Sequence, residues 1–222
     1  MLILYWIEVT TMFKKNARIL FQGDSITHGG RSNDEDKNHN MGHGYPQMLA
    51  GRLGLDFPNK NYTFFNRGIS GNRSVDLYAR LKEDTLNLKP DVLSLLIGVN
   101  DILLEINSHS GTSLEKYEKI YNLIIEETKL ELPAIELILC EPFSLPIGNV
   151  KLNWQAWKEE LHKRQQIVRR LAELNNAVFV PLQIEFDLAC KKADPEYWLW
   201  DGVHPTAAGH ELITRAWLKS ID

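Results

Sequence analysis

The run ILFQGDSITHGG, residues 19–30, passes from apolar residues through a glycine into an acid and a hydroxyl. That is the pattern of a buried strand ending at a tight turn that opens a helix. Ser25, at the turn, has two readings. Asp24 and Ser25 can each cap the helix, because their side chains accept hydrogen bonds from free first-turn N–H groups. Alternatively, Ser25 is a nucleophile presented at the end of a strand. What the rest of the chain brings to the same place separates the two.

Apolar runs of strand length recur outward from this one, at ARILFQ (17–22), YTFFN (62–66), DVLSLLIG (91–98), AIELILCEP (134–142) and AVFVPL (177–182). Most are apolar on both faces, as strands of a parallel sheet covered on both sides must be. Helical periodicities lie between them. Val75, Tyr78, Leu81, Thr85 and Leu88 share one face, as do Leu114, Tyr117, Ile120, Tyr121 and Ile124, and then Leu161, Ile167, Val168, Leu171 and Leu174. Alternating strand and helix predicts a three-layer α/β domain with right-handed crossovers.

A chain of 222 residues, 44% apolar and 24% charged, fits one globular domain with a sizeable core. No repeat, low-complexity tract or linker divides it, so residues 17–222 read as a single domain behind an N-terminal extension, residues 1–16. Met12, followed by Phe13, Lys14 and Lys15, is itself a candidate start, which sets residues 1–11 apart. The formal net charge of −4 leaves no overall positive field for nucleic acid or anionic lipid. The densest basic run, HKRQQIVRR (162–170), alternates with apolar residues and reads as a solvated helix face. Two cysteines, Cys140 and Cys190, make no disulfide framework and read as buried thiols. Their reduced state, with no export signal or membrane span in the sequence, predicts a cytoplasmic protein.

The longest irregular stretches are residues 28–44, 105–113 and 141–153. Each follows the carboxyl end of a predicted strand, where open α/β sheets place their ligand crevice. Their composition predicts a polar mouth with aromatic walls from Tyr45, Phe143, Trp154 and Trp157. Three polar turns meet at that sheet edge: Ser25 after the first strand, NRGISGNRS (66–74) after the second and IGVND (97–101) after the third. A fourth motif, WDGVHPTAAGH (200–210), precedes the last helix.

Acyl transfer to a nucleophile needs a hydroxyl, a base, a group that orients the base, and donors for the oxyanion. Ser25 supplies the hydroxyl. His204 is the candidate base, its backbone restricted by Pro205, and Asp201, three residues earlier, can reach the imidazole Nδ1. Gly71 can present a backbone N–H closely, Asn100 offers a neutral amide, and the Ser25 N–H is a third donor. Each motif alone is ordinary turn or cap chemistry. Their joint occurrence at successive strand ends favours the nucleophile reading.

GDSI (23–26), GISGN (68–72), GVND (98–101) and DGVHP (201–205) resemble the four motifs of the SGNH hydrolase superfamily, also called GDSL esterases and lipases. The likeness spans nearly the whole chain. It implies a flavodoxin-like α/β/α fold with a five-stranded parallel sheet in order 2-1-3-4-5, and a serine esterase mechanism without cofactor or metal. Carried over, Ser25 is the nucleophile, His204 and Asp201 complete the triad, and Ser25, Gly71 and Asn100 form the oxyanion hole. GHGY (42–45), NRGISGNRSVDLYARL (66–81) and the aromatic beside the acid in WLWDGVHPTAAGH are similar to a bacterial branch of carbohydrate acetylesterases that includes acetylxylan esterases. That likeness implies an O-acetylated oligosaccharide or other small ester as substrate, with Asp24, Tyr45, Phe143 and Trp200 as candidate substrate-binding residues. Short-chain carboxylesterase, lipase and acyl thioesterase activities stay open, as do a catalytically silent carbohydrate-binding role and a homo-oligomeric state.

His28, His39, His43 and Asp34 crowd one loop, but their spacing matches no common metal-ligand pattern. Cys140 lies where a thiol nucleophile could stand and lacks a base motif. The GxSxG elbow is absent because residue 27 is Thr, and no phosphate loop or dinucleotide glycine pattern occurs.

Overall fold

The computed structural model describes residues 13–32 and 36–222; the expected extension over residues 1–11 lies outside them, as does Asp34. Five strands, β1 (Arg18–Gly23), β2 (Thr63–Asn66), β3 (Val92–Leu96), β4 (Glu136–Cys140) and β5 (Val178–Val180), form one parallel sheet in the order β2-β1-β3-β4-β5. In chain order the helices are α1 (Ser25–His28), α2 (Tyr45–Asp56), α3 (Ser74–Ala79), α4 (Leu81–Asp84), α5 (Val99–Ser108), α6 (Leu114–Glu131), α7 (Trp154–Asn175), α8 (Leu182–Ala189), α9 (Pro195–Trp198) and α10 (Ala207–Ile221). Sheet order and layering agree with the expected fold.

The period-two geometry of strands sorts the apolar runs into two cores. Ile19, Phe21, Val92, Leu96 and Ile138 face one layer with Leu49 of α2, Phe186 of α8 and Ile213 and Trp217 of α10. Leu20, Leu93, Leu95, Leu137 and Leu139 face the other with Leu77 of α3, Tyr117, Tyr121 and Ile124 of α6, and Val168 and Leu171 of α7. Trp217 anchors the first core: its ring lies 6.1 Å from both Phe13 and Phe21, and its indole N–H donates to Ser94 Oγ at 3.0 Å. That bond explains a serine in the middle of β3, since a buried indole N–H without an acceptor is costly.

Four local expectations are corrected. Phe13 is buried in the first core, so the packed domain reaches past the boundary drawn at residue 17. The single helical face expected over residues 75–88 is broken into α3, α4 and a 3-10 turn (Leu86–Leu88). The break falls at Arg80, whose guanidinium donates to Gln22 Oε1, the Arg67 and Gly23 carbonyls and Asp84. Leu174, at the end of α7, is exposed. The run 162–170 is not wholly solvated: the Arg164 guanidinium is buried, donating to the Thr112 carbonyl at 2.6 Å and to Glu160 at 2.7 Å. Among the described residues, no helix is long and apolar enough to cross a membrane.

Candidate active site

The site forms at the carboxyl edge of the sheet, where loops from β1, β2 and β3 meet the segment entering α10. Asp24 performs the capping that the sequence allowed to either residue: its Oδ1 accepts from the Ile26 N–H at 3.0 Å. This leaves the neighbouring hydroxyl for another partner, and Ser25 Oγ lies 2.8 Å from His204 Nε2. His204 Nδ1 lies 2.6 Å from Asp201 Oδ2. A carboxylate there fixes the ring hydrogen on Nδ1, so Nε2 of the neutral ring accepts from the serine.

Asp201 and His204 are held by one loop. Asp201 Oδ1 accepts the backbone N–H groups of Val203 at 2.9 Å and His204 at 2.7 Å, while Oδ2 takes the imidazole. Leu199 bridges Pro205, and the Trp200 N–H donates to the His204 carbonyl, closing the loop's base. Burial pushes the Asp201 carboxyl up, but the hydrogen bonds from the His204 side chain and from the two backbone N–H groups outweigh it and hold the pKa below its usual value. The hydrogen bond to Asp201 raises His204 above the ordinary histidine range, against burial.

Two loops supply donors. Ile69 to Asn72 form a turn closed by the Asn72 N–H on the Ile69 carbonyl at 3.2 Å, with Gly71 at φ 82°. A positive φ at the third position is the type II arrangement that favours glycine. A Cβ on Gly71 would meet nothing within 4 Å, so the backbone conformation, rather than steric room, calls for glycine here. The adjacent Gly68 is different: a Cβ there would come within 2.4 Å of the His28 nitrogen, so only glycine lets this loop lie backbone to backbone on α1. Asn100, in the first turn of α5, donates from Nδ2 to the Asn72 carbonyl at 3.0 Å. An amide NH₂ carries two hydrogens, so one remains for a ligand. Among the described residues, no acceptor takes the N–H of Ser25 or Gly71.

The structure brings Ser25, His204 and Asp201 together and ties the Gly71 turn to Asn100. It does not put three of the four candidate substrate-binding residues on the surface of the site. Tyr45 is fully buried, its hydroxyl 2.9 Å from Thr27 Oγ1 and its ring edge-on to Phe21. Phe143 is fully buried and stacked on Phe186 at 4.3 Å. Asp24 has no exposed surface, and burial pushes its carboxyl up to about 7. Trp157, expected in an aromatic wall, is buried as well. Trp200 is 66% exposed with its ring 5.4 Å from the His204 ring, and it is the aromatic that stands at the mouth.

Two residues of this region lie inside the quoted motifs, at the ends of GVND and WDGVHPTAAGH, but the sequence assigns neither a role. His210 of α10 is buried, and its Nδ1 accepts the Tyr45 N–H at 3.2 Å; burial lowers its pKa to about 4. Asp101, after Asn100, is buried against Ser74. Among the described residues, no cluster of three or more histidine, cysteine, aspartate or glutamate side chains suits a metal ion. His39 pairs with Asp36 instead. Cys140 is buried 3.7 Å from Ser94 Oγ, and burial pushes its thiol up to about 12; Cys190 is half-buried rather than buried.

The GDSL-like lipase/acylhydrolase family model matches residues 21–212. An acetylxylan esterase of Geobacillus stearothermophilus is 34% identical over 211 residues, covering 92% of this chain and 93% of the relative. Among solved structures, a candidate GDSL-like lipase from Parabacteroides merdae superposes with a TM-score of 0.89 at 38% identity, over 94% of this chain and 97% of that one. Two catalytic mutants of the G. stearothermophilus acetylxylan esterase Axe2, one with an aspartate and one with a serine replaced by alanine, superpose at 0.85 and 32% identity. Each covers 94% of this chain and 95% of its own.

Proposed function

This chain belongs to the GDSL-like lipase/acylhydrolase family, and on that premise we propose that it hydrolyses short-chain acyl esters, with O-acetyl groups on xylo-oligosaccharide-like carbohydrates as substrate. The unbroken hydrogen-bonded line from Ser25 Oγ through His204 to Asp201 carries the reading. In it, His204 Nε2 takes the Ser25 proton as Oγ adds to the ester carbonyl, and Asp201 stabilises the imidazolium. The carbonyl oxygen becomes an oxyanion held by the Ser25 and Gly71 N–H groups and by the free hydrogen of Asn100 Nδ2. His204 returns the proton to the departing sugar hydroxyl, leaving an acetyl-serine. Water, deprotonated by the same ring, releases acetate and restores Ser25.

The carbohydrate part of the proposal is supported by the acetylxylan esterase relative and by the exposed indole of Trp200 beside His204. Ser25→Ala should fold normally, lose covalent labelling by a fluorophosphonate, and lose hydrolysis by up to about a millionfold. Near-normal turnover in that variant sinks the triad. Acetylated xylo-oligosaccharides and acetate esters should be turned over better than octanoate esters of the same leaving group. The reverse ranking assigns the site to a lipase or acyl thioesterase.

A further inference from the structure

Two adjacent side chains in the first turn of α5 hold the loop after β2. Asn100 Nδ2 donates to the Asn72 carbonyl, and the Asp101 carboxylate accepts the Ser74 N–H at 3.2 and 3.1 Å and the Ser74 hydroxyl at 2.6 Å. Asp101 and Ser74 have no exposed surface. Carboxylate, amide and hydroxyl are therefore each other's substitutes for water.

Asp101 is also fixed from behind. Its backbone carbonyl accepts the Thr112 N–H at 3.3 Å, and a Cβ on Gly111 would come within 2.2 Å of that same carbonyl, so the 109–113 loop lies directly on α5. The buried Arg164 guanidinium in turn donates to the Thr112 carbonyl at 2.6 Å. α7, the 109–113 loop, α5 and the Gly71 turn thus form one continuous hydrogen-bonded stack.

We propose that Asp101 is a positioning residue of the oxyanion hole, clamping the turn that presents the Gly71 N–H to the helix that presents the Asn100 amide. The inference rests on the esterase reading above. Asp101 touches no reacting atom in this role. It sets the separation of two donors that belong to different loops, and donor placement within a fraction of an ångström governs transition-state stabilisation. A side chain that only supported the fold would affect stability without regard to which donors are present.

The test is a double-mutant cycle in the full chain. Asp101→Asn keeps the size and one carbonyl acceptor but loses the second acceptor and the charge. It should lower kcat about tenfold to a hundredfold with KM changed far less. On an Asn100→Ala background, where one of the two positioned donors is already gone, the same substitution should cost markedly less. Ser74→Ala removes only the hydroxyl arm and should give a smaller kcat loss with the same non-additivity, and it keeps the test open if Asp101→Asn does not fold. Losses that are equal on both backgrounds, or that fall on KM, overturn the proposal. Retained turnover in Ser25→Ala would instead overturn the triad on which it rests, a separate result.

Discussion

Asp24 is the residue whose replacement tests the electrostatics of the turn that carries Ser25 most directly. Its Oδ1 caps α1, while Oδ2 is buried with no hydrogen-bond partner among the described residues. Burial is the main reason its pKa moves from 3.8 to about 7, with the Ile26 N–H and the His204 charge working the other way. Between those values the unfolded chain has released the proton and the folded chain still holds it, so the folded state binds more protons. Stability contributed by this group is therefore complete below about pH 4 and is lost as pH rises through about 7. At about 1.4 kcal/mol per pH unit, the part lost between pH 5 and pH 8 is about 3 kcal/mol.

Asparagine retains the capping oxygen, cannot ionise, and places an NH₂ where the protonated parent places an O–H, so the same unpartnered position holds a donor in both. Relative to the parent, Asp24→Asn should therefore gain about 3 kcal/mol of stability between pH 5 and pH 8. Urea unfolding of both proteins at the two pH values measures it, because groups common to both cancel in the difference. A difference that stays flat across this range shows that Asp24 is ionised in the folded protein throughout, and refutes the reasoning.

In the proposed mechanism His204 must be neutral to accept the serine proton, and Asp201 raises its pKa, so kcat/KM should climb with pH through an apparent pKa above 6.5; an acidic limb centred lower contradicts the pairing. Asn100→Ala should lose about a hundredfold to a thousandfold in kcat with KM altered far less. A rise confined to KM would make Asn100 a substrate-binding residue instead.

The fold was legible because β1, β3 and β4 are apolar on both faces, which a covered parallel sheet requires. The Asp201–His204 pair was legible because the two residues sit three positions apart on one turn, a contact that spacing alone makes reachable. Residues whose partners lie far along the chain were not. Arg164 reads as surface until its acceptor, 52 residues away, is known, and nothing local marks His210 as the acceptor for the Tyr45 N–H, 165 residues off. Tyr45 and Phe143 were misplaced for a related reason: an aromatic beside a polar loop has the same sequence signature whether its ring faces the crevice or the core. Arg80 breaks the helix expected over residues 75–88 because the Gly23 carbonyl at the end of β1 and the Arg67 carbonyl just after β2 draw its guanidinium inward, a tertiary demand that periodicity does not carry.

Ser25 and His204 are 179 positions apart, whereas His204 and Asp201 share one self-closed loop just ahead of α10. Translation therefore delivers Ser25 long before His204, and on the proposed mechanism a nascent chain that has assembled only the first strands should not cleave esters. Turnover by that mechanism should therefore require a chain folded through the loop that holds His204. A break at the exposed Lys191–Lys192 turn would divide the molecule into a piece holding the serine and a piece holding the acid–base loop, each inert by itself. On the proposed mechanism, cleavage should return only when the two pieces are brought together so that His204 again meets Ser25.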